Sequence, residues 1–243
     1  MIKTLGNNIV SAFTGGNPVK AIYAYGQLVW EKIPNNTIYY TTTDNQIINI
    51  PSGYYWGDGV EIVSNTYNDV GVIIFSGDVD TISSSSSGPF RGNTRLLTIT
   101  LPRSIDYIQS YAFAGCSSLK EIEIPSKVGG NLGSYCFYQC TSLVKVRINQ
   151  GVTKLSSNSF RGCTSLISIE IPDTIVGMGD ACFYGCTSLA EVIMYPTTPP
   201  KTLSNDNFNN TAPGRLIKVP SSSVNAYKTA DGWSVYSSSI ISQ

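Results

Sequence analysis

From Phe90 onward the apolar residues of this chain recur in a fixed order. Phenylalanines stand at Phe90, Phe113, Phe137, Phe160 and Phe183, spaced by 23, 24, 23 and 23 residues. Three positions after each comes Asn93, Cys116, Cys140, Cys163 or Cys186. A leucine follows at plus three (Leu96, Leu119, Leu143, Leu166, Leu189), then a branched residue at plus three again (Ile99, Ile122, Val146, Ile169, Val192). Two further on stand Leu101, Ile124, Ile148, Ile171 and Met194, and proline closes the run at Pro102, Pro125 and Pro172. The unit reads F-x-G-C-x-S-L-x-x-I-x-I-P, and its clearest copy runs from Phe113 to Pro125.

The strict alternation that ends the unit predicts a short, half-buried strand. Proline stops the strand because it lacks a backbone donor. A single unit has no second layer for its apolar side, whereas stacked units cover one another at about 4.8 Å per parallel strand. Each buried Leu, Ile or Phe contributes roughly 1.5–3 kcal/mol. That must offset an ordering entropy of about 1–2 kcal/mol per residue, so the stack folds and the lone unit does not. The pattern predicts a β-rich solenoid of about five 23-residue repeats with parallel strands over residues 88–195.

The flanks read differently. In residues 196–243 the period breaks and aromatics gather (Phe208, Tyr227, Trp233), as a C-terminal cap over the last open core should. Residues 33–87 hold further strand-like runs, TIYYTTT, QIINIP, VEIVSNTY and GVIIFSG, and predict a β-rich N-terminal cap in which Ile74 to Ile82 form a degenerate first turn. The serine-rich run from Ser83 to Gly88 predicts a flexible insertion. In residues 1–32 a hairpin is predicted, with strands Val19–Ala24 and Gln27–Glu31 around Tyr25 and Gly26. Val19, Ile22, Tyr23, Leu28, Val29 and Trp30 are too apolar for so small a unit to bury alone, so it should dock on a partner or on sister chains.

Composition narrows the function. Only 13% of residues are charged, about half the usual share, and the formal net charge is zero with no basic run. Such a surface has little to gain from counterion release on nucleic acid. The chain has no histidine, so the commonest general base and metal ligand are missing. No nucleophile elbow or phosphate loop appears. No stretch approaches the roughly 20 apolar residues of a membrane span, and Met1 to Asn8 have no apolar signal region. The expectation is a protein that is not an enzyme, uses no cofactor and does not insert into a membrane.

The phrases YAFAGCSSLKEIEIP and CFYGCTSLAEVIMYP resemble the bacterial BspA-like leucine-rich repeats, also called the Treponema pallidum type. The resemblance covers about residues 70–243, and the closing stretch with Phe208, Pro220, Tyr227 and Trp233 resembles that family's end segment. It implies a leucine-rich-repeat solenoid that binds proteins or cell-surface glycans. The front segment NPVKAIYAYGQLVWEK resembles small modules of bacteriophage tail and virion proteins, and of prophage genes in gut Bacteroides-type bacteria. Together the two resemblances imply a virion component of tail or fibre type that is held to the particle by residues 1–32 and recognises its target through the repeats. The alternative is an adhesin on the bacterial surface.

Candidate sites follow. Cys116, Cys140, Cys163 and Cys186 form one repeat column, and Cys136 and Cys182 a second. Packed, reduced thiols are expected; disulfides between neighbouring units are a lesser alternative. So is a zinc site from Cys136, Cys140, Cys182 and Cys186, whose pairs lie two repeats apart. Asp78 and Asp80 lack the rest of a calcium loop. Asn35 and Asn209 begin chance N-x-T sequons. In L-x-x-I-x-I the intervening residues face outward. One column reads Thr98, Glu121, Lys145, Ser168 and Glu191, the next Thr100, Glu123, Arg147, Glu170 and Ile193. Alternating charges predict a cross-strand ion-pair ladder, compatible with a recognition face that uses Glu121, Glu123, Lys145, Arg147, Glu170 and Glu191. Attachment is expected at Tyr23, Tyr25, Leu28 and Trp30.

Overall fold

The computed structural model describes residues 34–50, 53–83, 88–128 and 132–243 in full, and the backbone of residue 84 and of residues 2–5, 9–12, 22–24 and 27–30. At the front, β1 (Ile2–Leu5), β2 (Ile9–Ala12), β3 (Ile22–Ala24) and β4 (Gln27–Trp30) form an antiparallel sheet in that order. Strands β3 and β4 pair antiparallel, with Tyr23 opposite Leu28 and Ile22 opposite Trp30. The expected hairpin is there, extended by two strands that the sequence reading left unassigned.

The cap comprises β5 (Thr37–Thr42), β6 (Tyr54–Tyr55), β7 (Ile62–Asn68), β8 (Val70–Phe75) and β9 (Thr81–Ser84). Strands β5, β8 and β7 form an antiparallel meander. β5 lies antiparallel on β10 (Leu96–Thr100), with Tyr40 opposite Ile99, and so covers the open edge of the first repeat. The expected degenerate turn over Ile74 to Ile82 needs correcting. Val70 to Phe75 belongs to the meander, because Ile73 and Phe75 are buried beneath its strands, and the solenoid path starts only at β9.

Along the solenoid, long-face and short-face strands alternate in sequence, with isolated bridges at Leu132 in place of a short-face strand between the second and third of them: β11 (Tyr107–Ile108), β12 (Glu121–Ile124), β13 (Lys145–Ile148), β14 (Lys154–Leu155), β15 (Ser168–Ile171), β16 (Gly177–Met178), β17 (Glu191–Met194), β18 (Lys201–Thr202) and β19 (Leu216–Val219). The long face joins β10, β12 and β13 in parallel, then β15, β17 and β19. The short face runs from β9 and β11 through single bridges at Leu132 to β14, β16 and β18. A third side consists of tight turns around the phenylalanines. There the rings stack face to face with centroids 5.1, 5.3, 5.3, 5.4 and 5.6 Å apart, from Phe90 to Phe208.

Two local devices hold each turn. The position two after the phenylalanine is left-handed, at φ +71° to +76° in Gly92, Gly115, Gly162 and Gly185, which is why the unit carries glycine there. Each cysteine thiol then donates to the carbonyl of the phenylalanine one turn back: Cys116 to Phe90 (3.0 Å), Cys140 to Phe113 (3.1 Å), Cys163 to Phe137 (3.2 Å) and Cys186 to Phe160 (3.1 Å). All six cysteines are free and buried, packed in the expected columns.

Where five repeats and a cap from residue 196 were expected, the structure has about six turns. Phe208 lies 25 residues after Phe183, yet Ile217, Val219 and Pro220 keep the spacing from it that earlier turns show. β19 accordingly continues the parallel ladder, with Ile217 beside Val192. The cap proper begins at Pro220. It holds α1 (Val224–Thr229), a 3-10 segment (Ser234–Ser239) and β20 (Ile240–Ser242), which adds a last parallel strand. Trp233 and Tyr236 close the ring column over Phe208 at 5.9 and 5.4 Å. Two hydrogen bonds tie the cap back to the preceding loop, Trp233 Nε1 to the Pro200 carbonyl (2.8 Å) and Tyr227 Oη to the Pro196 carbonyl (2.9 Å).

Candidate recognition surface

The long face presents one side to the core and the other outward. In β13 and β15 burial alternates strictly, with Val146, Ile148, Ile169 and Ile171 inside and Lys145, Arg147, Ser168 and Glu170 exposed. The register sets Glu121 beside Lys145 and Glu123 beside Arg147 on one pair of strands. It sets Ser168 beside Glu191 and Glu170 beside Ile193 on another. All six residues expected on this face are therefore on it, in two blocks. The blocks meet between β13 and β15, which are neighbours in successive turns but share no ladder, so the ribbon has a seam there. On the short face the parallel pair of β14 and β16 carries the stack across the same turns.

The ion-pair ladder expected from alternating charge forms only in part. Glu123 accepts a hydrogen bond from Asn149 Nδ2 (2.9 Å) rather than from Arg147 beside it. Asn149 stands where other units carry the strand-ending proline, and its amide competes successfully for the carboxylate. Glu191 pairs with Lys218 of the sixth turn, which the column reading did not include. Arg95 pairs with Asp44 of the cap at 2.7 Å and also donates to the Ile47 carbonyl (3.1 Å). Such half-exposed pairs contribute about 0–1 kcal/mol each. Tyr195 donates to Glu170 Oε2 at 3.4 Å, and the neighbouring carboxylate charge raises the phenol's pKa.

The face also carries apolar side chains that the two-column reading missed. Val144 and Ile167, immediately before β13 and β15, are 47% and 60% exposed, and Leu216 at the start of β19 is 40% exposed. For Val144 and Ile167 the signal was available in the first variable position of L-x-x-I, which reads Leu97, Lys120, Val144, Ile167, Ala190 and Arg215, whereas Leu216 extends the Glu121 column into the sixth turn. The result is a rigid sheet surface with apolar residues among charged ones, a composition suited to protein contact.

Other expected sites have simpler outcomes. The strands carrying Tyr23, Leu28 and Trp30 are placed, but their side chains, and Tyr25 altogether, lie outside the described residues. Asp78 accepts from Asn35 Nδ2 at 2.9 Å. Among the described residues no group of three or more His, Cys, Asp and Glu side chains is disposed to hold a metal ion. No helix among them is long and apolar enough to cross a membrane.

With this geometry in place, comparison with known proteins adds the following. Residues 129–230 match the family model described as BspA type leucine rich repeat region, in six copies. No curated protein matches the chain in sequence. Among solved structures, a leucine rich cell surface protein from Faecalibacterium prausnitzii A2-165 is similar at 25% identity and TM-score 0.44, over 51% of this chain and 32% of that one. The chain thus spans about a third of the length of that protein. The T. pallidum leucine rich repeat protein is similar at 22% identity and TM-score 0.48, over 69% and 80% of the two chains. A leucine-rich repeat protein from Bacteroides ovatus ATCC 8483 is similar at 19% identity and TM-score 0.38, over 89% and 60%. The chain is a leucine-rich-repeat β-solenoid of about six turns, and over residues 129–230 it is similar to the BspA type of that repeat.

Proposed function

We propose that the protein is a non-enzymatic binding module displayed on a bacterial cell surface, which contacts a partner protein through the outer side of its long face. The observation that carries this reading is the exposure of Val144, Ile167 and Leu216 beside Lys145, Arg147 and Glu191 on a sheet whose other side is fully packed. Apolar side chains held rigidly in water gain most from a complementary surface, and the flanking charges exclude wrong partners. The BspA-type match over residues 129–230 supports surface display. Cell-surface glycans are the competing ligand.

Binding of the labelled full-length chain to intact bacterial and epithelial cells, measured by flow cytometry, tests the reading. The double variant Ile167→Asp, Leu216→Asp should lose about tenfold in apparent affinity, while Val176→Asp, on the short face, should not. Unchanged binding by the double variant, or equal loss by Val176→Asp, refutes the assignment. Prior protease treatment of the cells should remove binding; persistence after protease and loss after glycosidase would point to glycan. A second reading rests on the resemblance of residues 17–32 to phage virion modules, and places the same surface on a phage or prophage particle. Antibody labelling of intact producing cells against purified particles separates the two locations.

A further inference from the structure

The N-terminal cap carries an open cleft of about 900 Å3, and none of its described lining residues belongs to the repeat strands. Its volume falls within the range of small-ligand sites, roughly 300–1,000 Å3. Ile47, Ile50, Tyr54, Tyr55, Val60 and Ile62 supply the apolar walls. The floor is Trp56, 3% exposed, whose ring lies 4.8 Å from Phe75 and 6.2 Å from Phe90, so it rests on the end of the phenylalanine column. Asn65 at the side has both ends of its amide engaged, donating to the Ile48 carbonyl (2.8 Å) and accepting from Tyr40 Oη (2.7 Å). Gly53 and Gly59 have φ of +91° and +69°, and a Cβ on either would meet nothing within 4 Å. The backbone shape, not crowding, requires glycine there, and the space beside both stays open.

The described charges around the cleft are mostly acidic; Arg95, which donates to the Ile47 carbonyl, is itself paired with Asp44. Among the described residues Glu61 is the one charged residue of the lining and is exposed, and Asp58, three residues before it, accepts from Tyr55 Oη at 2.6 Å. The walls favour a ligand with an apolar body, while tyrosine faces and a rim carboxylate favour a cation. A sugar fits poorly, because hydroxyls buried against isoleucine and valine would lack partners.

We infer that this cleft receives a short apolar peptide segment bearing a lysine or arginine, with the cation set against Tyr55 and the Glu61 carboxylate. The site is separate from the long face and does not rest on that face's role. Calorimetric titration of the full chain with acetyl-Leu-Arg-Leu-amide and acetyl-Leu-Glu-Leu-amide tests it. The arginine peptide should bind about tenfold tighter than the glutamate peptide. Glu61→Gln, an exposed and fold-neutral change, should weaken it about fivefold. Tyr55→Ala should weaken it further, with far-UV circular dichroism confirming the fold; if that variant is unfolded, Glu61→Gln alone decides. The double variant Ile167→Asp, Leu216→Asp should leave the titration unchanged, so failure here and failure of the long-face reading are distinguishable. Equal affinity for the two peptides, no binding of either at millimolar concentration, no effect of Glu61→Gln, or tighter binding of maltose would each overturn the inference.

Discussion

Replacing Phe137 by alanine should be among the most damaging single changes in the chain. The ring is fully buried and lies parallel to Phe113 and Phe160, at 5.3 Å and 9° on both sides. Phe→Ala in a core costs about 3–5 kcal/mol in all, of which aromatic pairing supplies about 0.5–1.5 kcal/mol per pair. The backbone bonds of the position survive, because the Phe137 carbonyl still accepts from Cys163 and its N–H still donates to Ser159. The expected loss is therefore about 4 kcal/mol, a large part of the roughly 5–15 kcal/mol typical of a domain. Phe137→Leu keeps most of the volume and loses only the stacking, so about 1–2 kcal/mol is expected. Urea titration followed by tryptophan fluorescence and by far-UV circular dichroism measures both. Trp56 and Trp233 sit at opposite ends of the ring column. A gap in its middle, next to the seam between β13 and β15, should weaken coupling between the halves and separate the two transitions. A loss below about 1 kcal/mol, or equal losses for leucine and alanine, would show that the column does not carry the stability assigned to it.

The thiols and the cap supply two further tests. Burial pushes the Cys116, Cys136 and Cys163 thiols well up, and the Cys140 and Cys182 thiols up to about 12, so a thiol reagent at pH 8 should find none reactive in the folded chain and six after denaturation. Because these folded values exceed the unfolded value of about 8.5, the unfolded chain loses protons first as pH rises. Stability should be full below about pH 8.5 and fall from there toward about pH 12, and a urea midpoint as high at pH 10 as at pH 7 would contradict this. Removing residues 220–243 should bare Phe208, Ile217 and Val219 and cause aggregation visible by light scattering; a soluble, folded monomer would show that the segment is not a cap.

The repeat made much of the fold legible before any coordinates, and the departures share one cause. Periodicity marks positions that face the core, and it is silent wherever a turn solves the same problem with other residues. In the sixth turn Thr211 replaces the cysteine, donating to the Phe208 carbonyl at 2.9 Å, and Gly214 replaces the leucine, so the unit is hidden although its strand is intact. In the third turn Asn149 replaces the proline, and that single exchange diverts Glu123 from the charge ladder. Neither can be seen from the consensus. The left-handed backbone of Tyr111 and Tyr135, at φ +64° and +58°, was also invisible, since the same position holds Asn158 and Ala181 in other turns and never glycine. For the candidate surface, register followed from the period, and all six expected residues share the outer side. Their actual partners depended on side chains one turn beyond the columns compared, such as Lys218.

The same division of labour bears on how such a surface changes its specificity. What fixes the path of the chain lies off this face: the stacked rings and thiol-to-carbonyl bonds inside, and the left-handed glycines in the turns of the third side. Nothing on the outer side of the long face is needed for these. Glu121 and Lys145 in one block, and Ser168, Glu191 and Leu216 in the other, occupy equivalent positions in successive turns and differ in charge, size and polarity without altering the register between their strands. An outward side chain contributes only its own weak cross-strand contacts, about 0.2–1 kcal/mol, whereas an inward phenylalanine contributes several times more. Substitutions on the outside are therefore nearly free of folding cost. Under the proposed binding role, such a scaffold exchanges one partner for another through its exposed columns alone.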